Sequence, residues 1–297
     1  MRVALLFSGL PRMWDGSIQT QLRLFTGADV DIYCHFWDTI DGPEKQRLLD
    51  LLRPKVYAFD PLPDFSCVDQ YPGLQRDEIN IPSRLVSQYS SWQQVATMFA
   101  PFAPRYALAA RTRTDLHFHQ ELRFNVPKLA LQNVDLLGCI WPSDPRMLLD
   151  AFAVGRPNMM LYYHSLLGWV WHYASNTLFN PEILLTKHIA AYPGKAVIVG
   201  LNRQTPGYAL PFFVRRPHMK DWPVEQCLTE GIGQSKWRDP EIYGAHVAFH
   251  EKIAGPAGAL HVASFKADRL DGQAPGEPDR AADPVAQDQT LASPETS

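Results

Sequence analysis

Five consecutive apolar residues, Val3-Ala4-Leu5-Leu6-Phe7, stop abruptly at Ser8-Gly9-Leu10-Pro11. An apolar run that short, closed by turn residues, predicts a strand buried on both faces, as in a parallel sheet covered by helices. The chain then repeats the theme. Strands are expected at 31–37 and 56–59. A helical pattern covers 15–26, and a second helix starts near Pro43, a first-turn position that suits proline, and carries Leu48, Leu49, Leu51 and Leu52. Residues 60–82, rich in proline and polar groups, are expected to be a loop. Leu85, Val86, Tyr89, Trp92, Val95, Ala96 and Phe99 recur at three- and four-residue spacing, which predicts a helix with one apolar stripe. Further strands are expected at 106–110, 136–140, 151–154 and 196–199, and helices at 158–173 and 181–191. This alternation predicts an α/β class, a Rossmann-like α/β/α sandwich with a mostly parallel central sheet. No internal repeat is present.

Composition narrows the class further. The chain has 297 residues, 46% hydrophobic and 20% charged, which fits a globular protein and excludes coiled-coil, collagenous and wholly disordered chains. It has no apolar run of about 18 residues, so no membrane-spanning helix is expected. The opening MRVALLFSGLPR is too short in its apolar part for a signal-peptide core, and a cytoplasmic location is expected. A net charge of −3 argues against nucleic acid as a partner. Cys34, Cys67, Cys139 and Cys227 are widely spaced, which disfavours an all-cysteine zinc site and suits free thiols. Residues 267–297 form an acidic, Pro/Ala-rich tail with seven acids, two arginines and no aromatics. Such a segment buries too little apolar surface to offset its ordering entropy, so a disordered tail after a single domain, 1–266, is expected.

Three polar stretches fall where strands are expected to end, the usual ligand side of an open α/β sheet. In the first, which begins Phe7-Ser8, Gly9 lets backbone approach a ligand, and Arg12 offers a planar fork to phosphate. The plain alternative is a strand-to-helix turn. Neither G-x-G-x-x-G nor a G-K-[ST] loop is present. The second stretch is Arg111-Thr-Arg113-Thr-Asp115-Leu-His117-Phe-His119. If extended, it sets Arg111, Arg113, Asp115, His117 and His119 on one face. That grouping suits an anionic ligand, or a divalent ion held by Asp115 and His117 with an arginine neutralising charge; its plain alternative is a wet Arg113–Asp115 ion pair. The third is Asp150-Ala-Phe-Ala-Val-Gly155, in which Asp150 is a candidate general base and otherwise a simple cap.

Other groups carry less. His246 and His250 have Val247 where a zinc-protease motif needs glutamate. His164 and His172 are expected as packing or surface residues, and Tyr162, Tyr163, Trp169 and Trp171 as core. No G-x-S-x-G elbow occurs, so hydrolase chemistry has no support.

The order of these stretches resembles a group of bacterial and viral glycosyltransferases for surface polysaccharide. The resemblance rests on F-S-G-x-P-R after the first strand, His35-Phe36-Trp37 and the aromatic helix around Gln88-Tyr89-Ser90-Ser91-Trp92. It continues through Arg111-Thr-Arg113-Thr-Asp115, Asp150 to Gly155, Met159-Met160 and Pro181-Glu182, and covers about residues 1–200. It implies a GT-A type fold and transfer of a sugar from a nucleoside-diphosphate-sugar donor to a glycan acceptor. It also implies a divalent metal at an Asp-x-Asp motif, where this chain has Arg113-Thr-Asp115 or Asp115-Leu-His117 instead. Either Asp115 binds the metal with help from His117, or arginines replace it; a histidine-bearing site would take manganese more readily than magnesium.

On this reading Ser8, Gly9, Arg12, Arg111 and Arg113 bind the donor phosphates, and Asp115 acts there through the ion. Asp150 is the base of an inverting transfer, and Glu182 is a weaker candidate for sugar or acceptor contacts. Its plain alternative is an acid in a helix first turn. The competing expectations are a sugar nucleotidyltransferase and a non-catalytic glycan- or protein-binding module on a decayed transferase scaffold. Transient contact with a membrane surface is compatible with the lipid-linked acceptors of such enzymes.

Overall fold

In a computed structural model of the chain, eight strands among the described residues hydrogen-bond into one central sheet. They are β1 (Arg2–Gly9), β2 (Asp29–Trp37), β3 (Val56–Asp60), β4 (Leu108–Thr112), β5 (Leu136–Trp141), β6 (Asp144–Gly155), β7 (Ile198–Leu201) and β8 (Val262–Phe265). The structure describes residues 1–76, 80–118, 122–131, 134–141, 144–175, 177–193, 197–201, 212–214 and 262–265. The expectations for His119, His246, His250, Cys227 and the tail 267–297 lie outside the described residues.

The spatial order is β8-β7-β5-β6-β4-β1-β2-β3. The β1–β2, β1–β4, β2–β3, β5–β7 and β7–β8 pairs are parallel. Only β6 runs against its neighbours β4 and β5. The expected mostly parallel α/β sheet is therefore present. From β1 the chain winds outward to β2 and β3, then returns to place β4 on the other side of β1. This reversal opens a crevice beyond the carboxyl ends of β1 and β4, where open α/β sheets bind ligands.

Strand alternation divides the core into two layers. Val3, Leu5, Phe7, Ile32, Cys34, Leu108 and Ala110 pack on one face with Ile18 of α1 (Ser17–Leu22) and with Leu48 and Leu52 of α2 (Gly42–Leu52). Ala4, Leu6, Tyr33 and Ala109 pack on the other face. They meet α3 (Pro82–Phe99), which buries Leu85, Val86, Tyr89, Trp92, Val95 and Phe99, the stripe expected from spacing. The short α4 (Val126–Leu131) lies beside residues 124–125, which pair with 25–26. Helices α5 (Pro157–His164), α6 (Val170–Ala174) and α7 (Pro181–Ala190) complete the α3 layer.

Several boundaries differ from expectation. The helix expected at 15–26 is only the six residues of α1, because Phe25 and Thr26 are drawn into pairing with Phe124 and Asn125. The helix expected at 158–173 breaks into α5, a 3-10 turn at Ser165–Gly168 and α6, with Gly168 weakening helix at the break. The loop 60–82 contains a 3-10 helix, Ser66–Gln70. Tyr163 joins the core as expected, but Trp169 and Trp171 are 49% and 43% exposed. The strand expected at 151–154 begins at Asp144, so Asp150 stands inside it rather than capping it. Gly155 pairs with Ala109, at the end of β4 away from the crevice. A Cβ there would lie 2.5 Å from the Asp135 carbonyl oxygen, which accounts for glycine.

Two histidines of the α3 layer are buried neutral. Burial pushes His164 down to about 3 and His188 down to about 4. His188 stacks on Tyr162 at 4.2 Å and donates from Nε2 to the Tyr162 carbonyl. An unfolded histidine titrates near about 6.5, so below that pH the unfolded chain binds more protons and stability falls as pH drops. The contribution of each is full above about pH 6.5 and declines by about 1.4 kcal/mol per pH unit below it. Denaturant unfolding is expected to show a lower midpoint at pH 5 than at pH 7.5, and His188→Gln is expected to shrink that difference. Equal wild-type midpoints at the two pH values would contradict this.

Candidate functional site

The crevice starts where β1 ends. Gly9 has φ of 103°, a conformation that side-chain-bearing residues rarely adopt. Its N–H donates to Ser91 Oγ of α3 at 2.7 Å. Ser91 Oγ also meets His35 Nδ1 at 2.8 Å, and His35 Nε2 meets Asp60 Oδ2 at 3.0 Å. A carboxylate only accepts, so Nε2 carries the proton and Nδ1 accepts from Ser91 in the neutral ring. Burial lowers the His35 pKa, opposed by Asp60, and the ring is neutral at pH 7. This is an Asp-His-Ser connection, but Ser91 is fully buried and does not border the crevice. Its work is to tie the Gly9 turn to α3 and β2.

The end of β4 is held just as closely. Gln21 of α1 donates its amide to the carbonyls of Arg113 and Leu116, both at 2.8 Å, and accepts from the Thr112 hydroxyl at 2.5 Å. Thr114 Oγ1 accepts from the Arg12 N–H at 3.2 Å and lies 2.9 Å from the Arg12 carbonyl oxygen. The loop after β1 and the turn after β4 are thus one hydrogen-bonded unit.

Three arginines converge there. Arg111 has no exposure; its guanidinium carbon sits 4.2 Å above the Trp92 ring, and Nη1 donates to the Ala151 carbonyl. Among the described residues its Nε and Nη2 have no hydrogen-bond partner. Burial lowers the pKa of Arg111, against the pull of Tyr163 and Asp150. Arg113 grips Asp115 bidentately, Nε to Oδ1 at 2.9 Å and Nη2 to Oδ2 at 2.7 Å, and Arg12 Nε reaches Oδ2 at 3.2 Å. Asp115 is 2% exposed. Burial would raise its pKa, but the charge and hydrogen bonds of Arg113, then Arg12, outweigh this and hold it below the ordinary carboxylate range.

Two further carboxylates border the same cleft. Asp150 accepts through Oδ2 from Gln88 of α3. Glu182 sits in the first turn of α7, whose N-cap Asn180 accepts from the N–H groups of Glu182 and Ile183. Both acids raise the pKa of Arg113 through charge, behind the larger effects of burial and Asp115. The resulting cleft has a volume of about 840 Å³.

Of the sequence candidates, Ser8, Gly9, Arg12, Arg111, Arg113, Asp115, Asp150 and Glu182 all border this cleft, and His117 does not. The 111–119 stretch is not extended throughout: a turn at 114–115 separates β4 from the short strand Leu116–Phe118, so the expected common face is lost. His117 pairs there with Phe213 and is buried. The expected pair of metal ligands, Asp115 and His117, is therefore not assembled at the cleft. Among the described residues no three His, Cys, Asp or Glu side chains are grouped as a metal site needs. With two guanidiniums already on Asp115, these residues do not fit the divalent-ion site that the resemblance implies. Sequence reading missed Gln21, Thr114, Gln88, Ser91 and the His35–Asp60 link. The available signal was that His35, Gln88, Ser91 and Thr114 lie inside the motifs that carry the resemblance.

No protein-family model matches the chain, and no curated protein sequence matches it. No helix among the described residues is long and apolar enough to cross a membrane.

Ser91→Ala is expected to leave the Gly9 N–H and His35 Nδ1 without their shared partner. Such buried losses cost about 1–3 kcal/mol, to be read as a lower unfolding midpoint in denaturant. An unchanged midpoint would show that the link is dispensable.

Proposed function

We propose that the chain is a glycosyltransferase that moves a sugar from a nucleoside-diphosphate-sugar donor to a glycan hydroxyl in surface-polysaccharide synthesis. The observation that carries this reading is the gathering of arginines and carboxylates in one cleft. Arg111, with Nε and Nη2 unpartnered among the described residues, borders it together with Arg113, Arg12, Asp150 and Glu182. The order of motifs over residues 1–200 and the position of the cleft beyond β1 and β4 support it, and with them a GT-A type of α/β fold.

In the transfer, the bond between the anomeric carbon and the diphosphate oxygen breaks, and the leaving diphosphate takes the electron pair. The arginines stabilise that developing charge with donors already in place. The acceptor hydroxyl oxygen attacks the anomeric carbon, and its proton passes to Asp150 as general base. Glu182 contacts the sugar or the acceptor. No step is routed through a metal. The reading includes a cytoplasmic protein, compatible with the free thiols of Cys34, Cys67 and Cys139, and a transient approach to membrane-borne acceptors.

Thermal unfolding with a panel of nucleoside diphosphates and nucleotide sugars tests the reading. A donor at about 100 times its Kd adds about 2.7 kcal/mol of stability, and one nucleotide class is expected to give that shift. With the donor so identified, Asp150→Asn is expected to keep the shift and to lower turnover by at least about 100-fold. No shift with any nucleotide would overturn the proposal. A shift without turnover in the wild type would favour a binding module.

A further inference from the structure

We propose that the arginines of this cleft take a diphosphate group without a divalent cation, and that Asp115 is the counter-ion positioning Arg113 and Arg12 rather than a metal ligand. The inference rests on reading the cleft as a diphosphate site and asks what neutralises that diphosphate.

Arg111 supplies the first argument. Its Nη1 is committed to the Ala151 carbonyl, while Nε and Nη2 have no partner among the described residues. Those two nitrogens form one edge of the guanidinium, the edge that takes two oxygens of a phosphate side by side. Burial of a charged group is costly unless it is paired. Arg111 borders the cleft while this edge is closed to solvent, so an anion with paired oxygens matches it once the groups covering Nε and Nη2 move aside. Arg113 shows the same geometry in use, since its Nε and Nη2 hold the two oxygens of Asp115.

Asp115 supplies the second. A carboxylate offers about four lone-pair positions, and three are taken by Arg113 Nε, Arg113 Nη2 and Arg12 Nε. A cation approaching the remaining position would meet both guanidiniums. His117, the nearest sequence candidate for a second ligand, is paired into the strand at 212–214 and does not border the cleft. Asp150 accepts an amide N–H of Gln88 on Oδ2, which takes one of its lone-pair positions. Arg113 and Arg12 are thus held by one shared carboxylate at the cleft wall, where the charge of a metal would otherwise be needed.

Calorimetric titration of the full chain with inorganic pyrophosphate, first in EDTA and then with excess manganese, tests this. Binding is expected in EDTA, with manganese tightening it by no more than about twofold. Arg113→Gln and Asp115→Asn are each expected to weaken binding in EDTA by about tenfold or more, the scale of a lost charge-assisted hydrogen bond. Arg113→Lys, which keeps charge without the fork, is expected to restore only part of it. Circular dichroism on each variant separates this from a failure to fold. Manganese titrated alone, followed by electron paramagnetic resonance, is expected to show no tight site. Pyrophosphate binding that requires manganese, or tight manganese uptake abolished by Asp115→Asn, would overturn the inference while leaving the transferase reading standing. No binding of pyrophosphate under either condition would overturn both.

Discussion

A fully buried guanidinium stacked 4.2 Å over an indole is the constraint around which the cleft is organised. Arg111 continues the alternation of β4, so its side chain enters the α3 layer, where Ala109 is already part of the core. A charge placed there needs compensation. The Trp92 face provides about 2 kcal/mol or more when desolvated, and the Ala151 carbonyl provides an acceptor. Both depend on distant parts of the chain. Trp92 is fixed by ring contacts to Tyr89 and Tyr163 at 5.0 and 5.4 Å. The Ala151 carbonyl belongs to a part of β6 where the register with β5 shifts between Leu148 and Ala153. Such irregularities re-aim backbone groups next to functional sites.

The remaining charges sit on loops that have little freedom. Gln21 satisfies its amide on two carbonyls of the turn after β4 and accepts from Thr112. Thr114 joins that turn to the loop after β1, and Ser91 joins the same loop to α3 and His35. Three elements far apart in sequence thereby hold Arg12, Arg113 and Asp115 in one arrangement. Electrostatic stabilisation of a leaving group depends on donors being in place beforehand, because reorienting them during the reaction would consume the gain. The buried polar residues of this region act in that supporting way.

Short-range patterns were legible where one rule acted without competition. The apolar run at 3–7, the stripe of α3 and the proline-led start of α2 each appear as expected, because period and end signals agree there. Expectation failed where a partner from elsewhere intervened. Phe25 and Thr26 left a helical pattern to pair with Phe124 and Asn125. Trp169 and Trp171 have the composition of a core helix, yet the break at Ser165–Gly168 turns them partly outward. The 111–119 stretch has strand periodicity throughout, but the turn at 114–115, held by Gln21 and Thr114, rotates Asp115 toward Arg113 and away from His117.

Sequence alone therefore determined the α/β class, the mostly parallel sheet, and the residue types gathered at the ends of its strands, because those follow from periodicities of two and 3.6 residues and from local turn chemistry. Tertiary structure decided which of those residues meet. It placed Asp150 of an antiparallel strand beside arginines of a parallel one and left His117 outside. It also gave Asp115 two guanidiniums as partners. These outcomes depend on strand order, register and hydrogen bonds between elements some 20 to 100 residues apart, such as Gln21 with Arg113 or Gly9 with Ser91. No local pattern encodes such pairings, because each is fixed only when the separate elements pack.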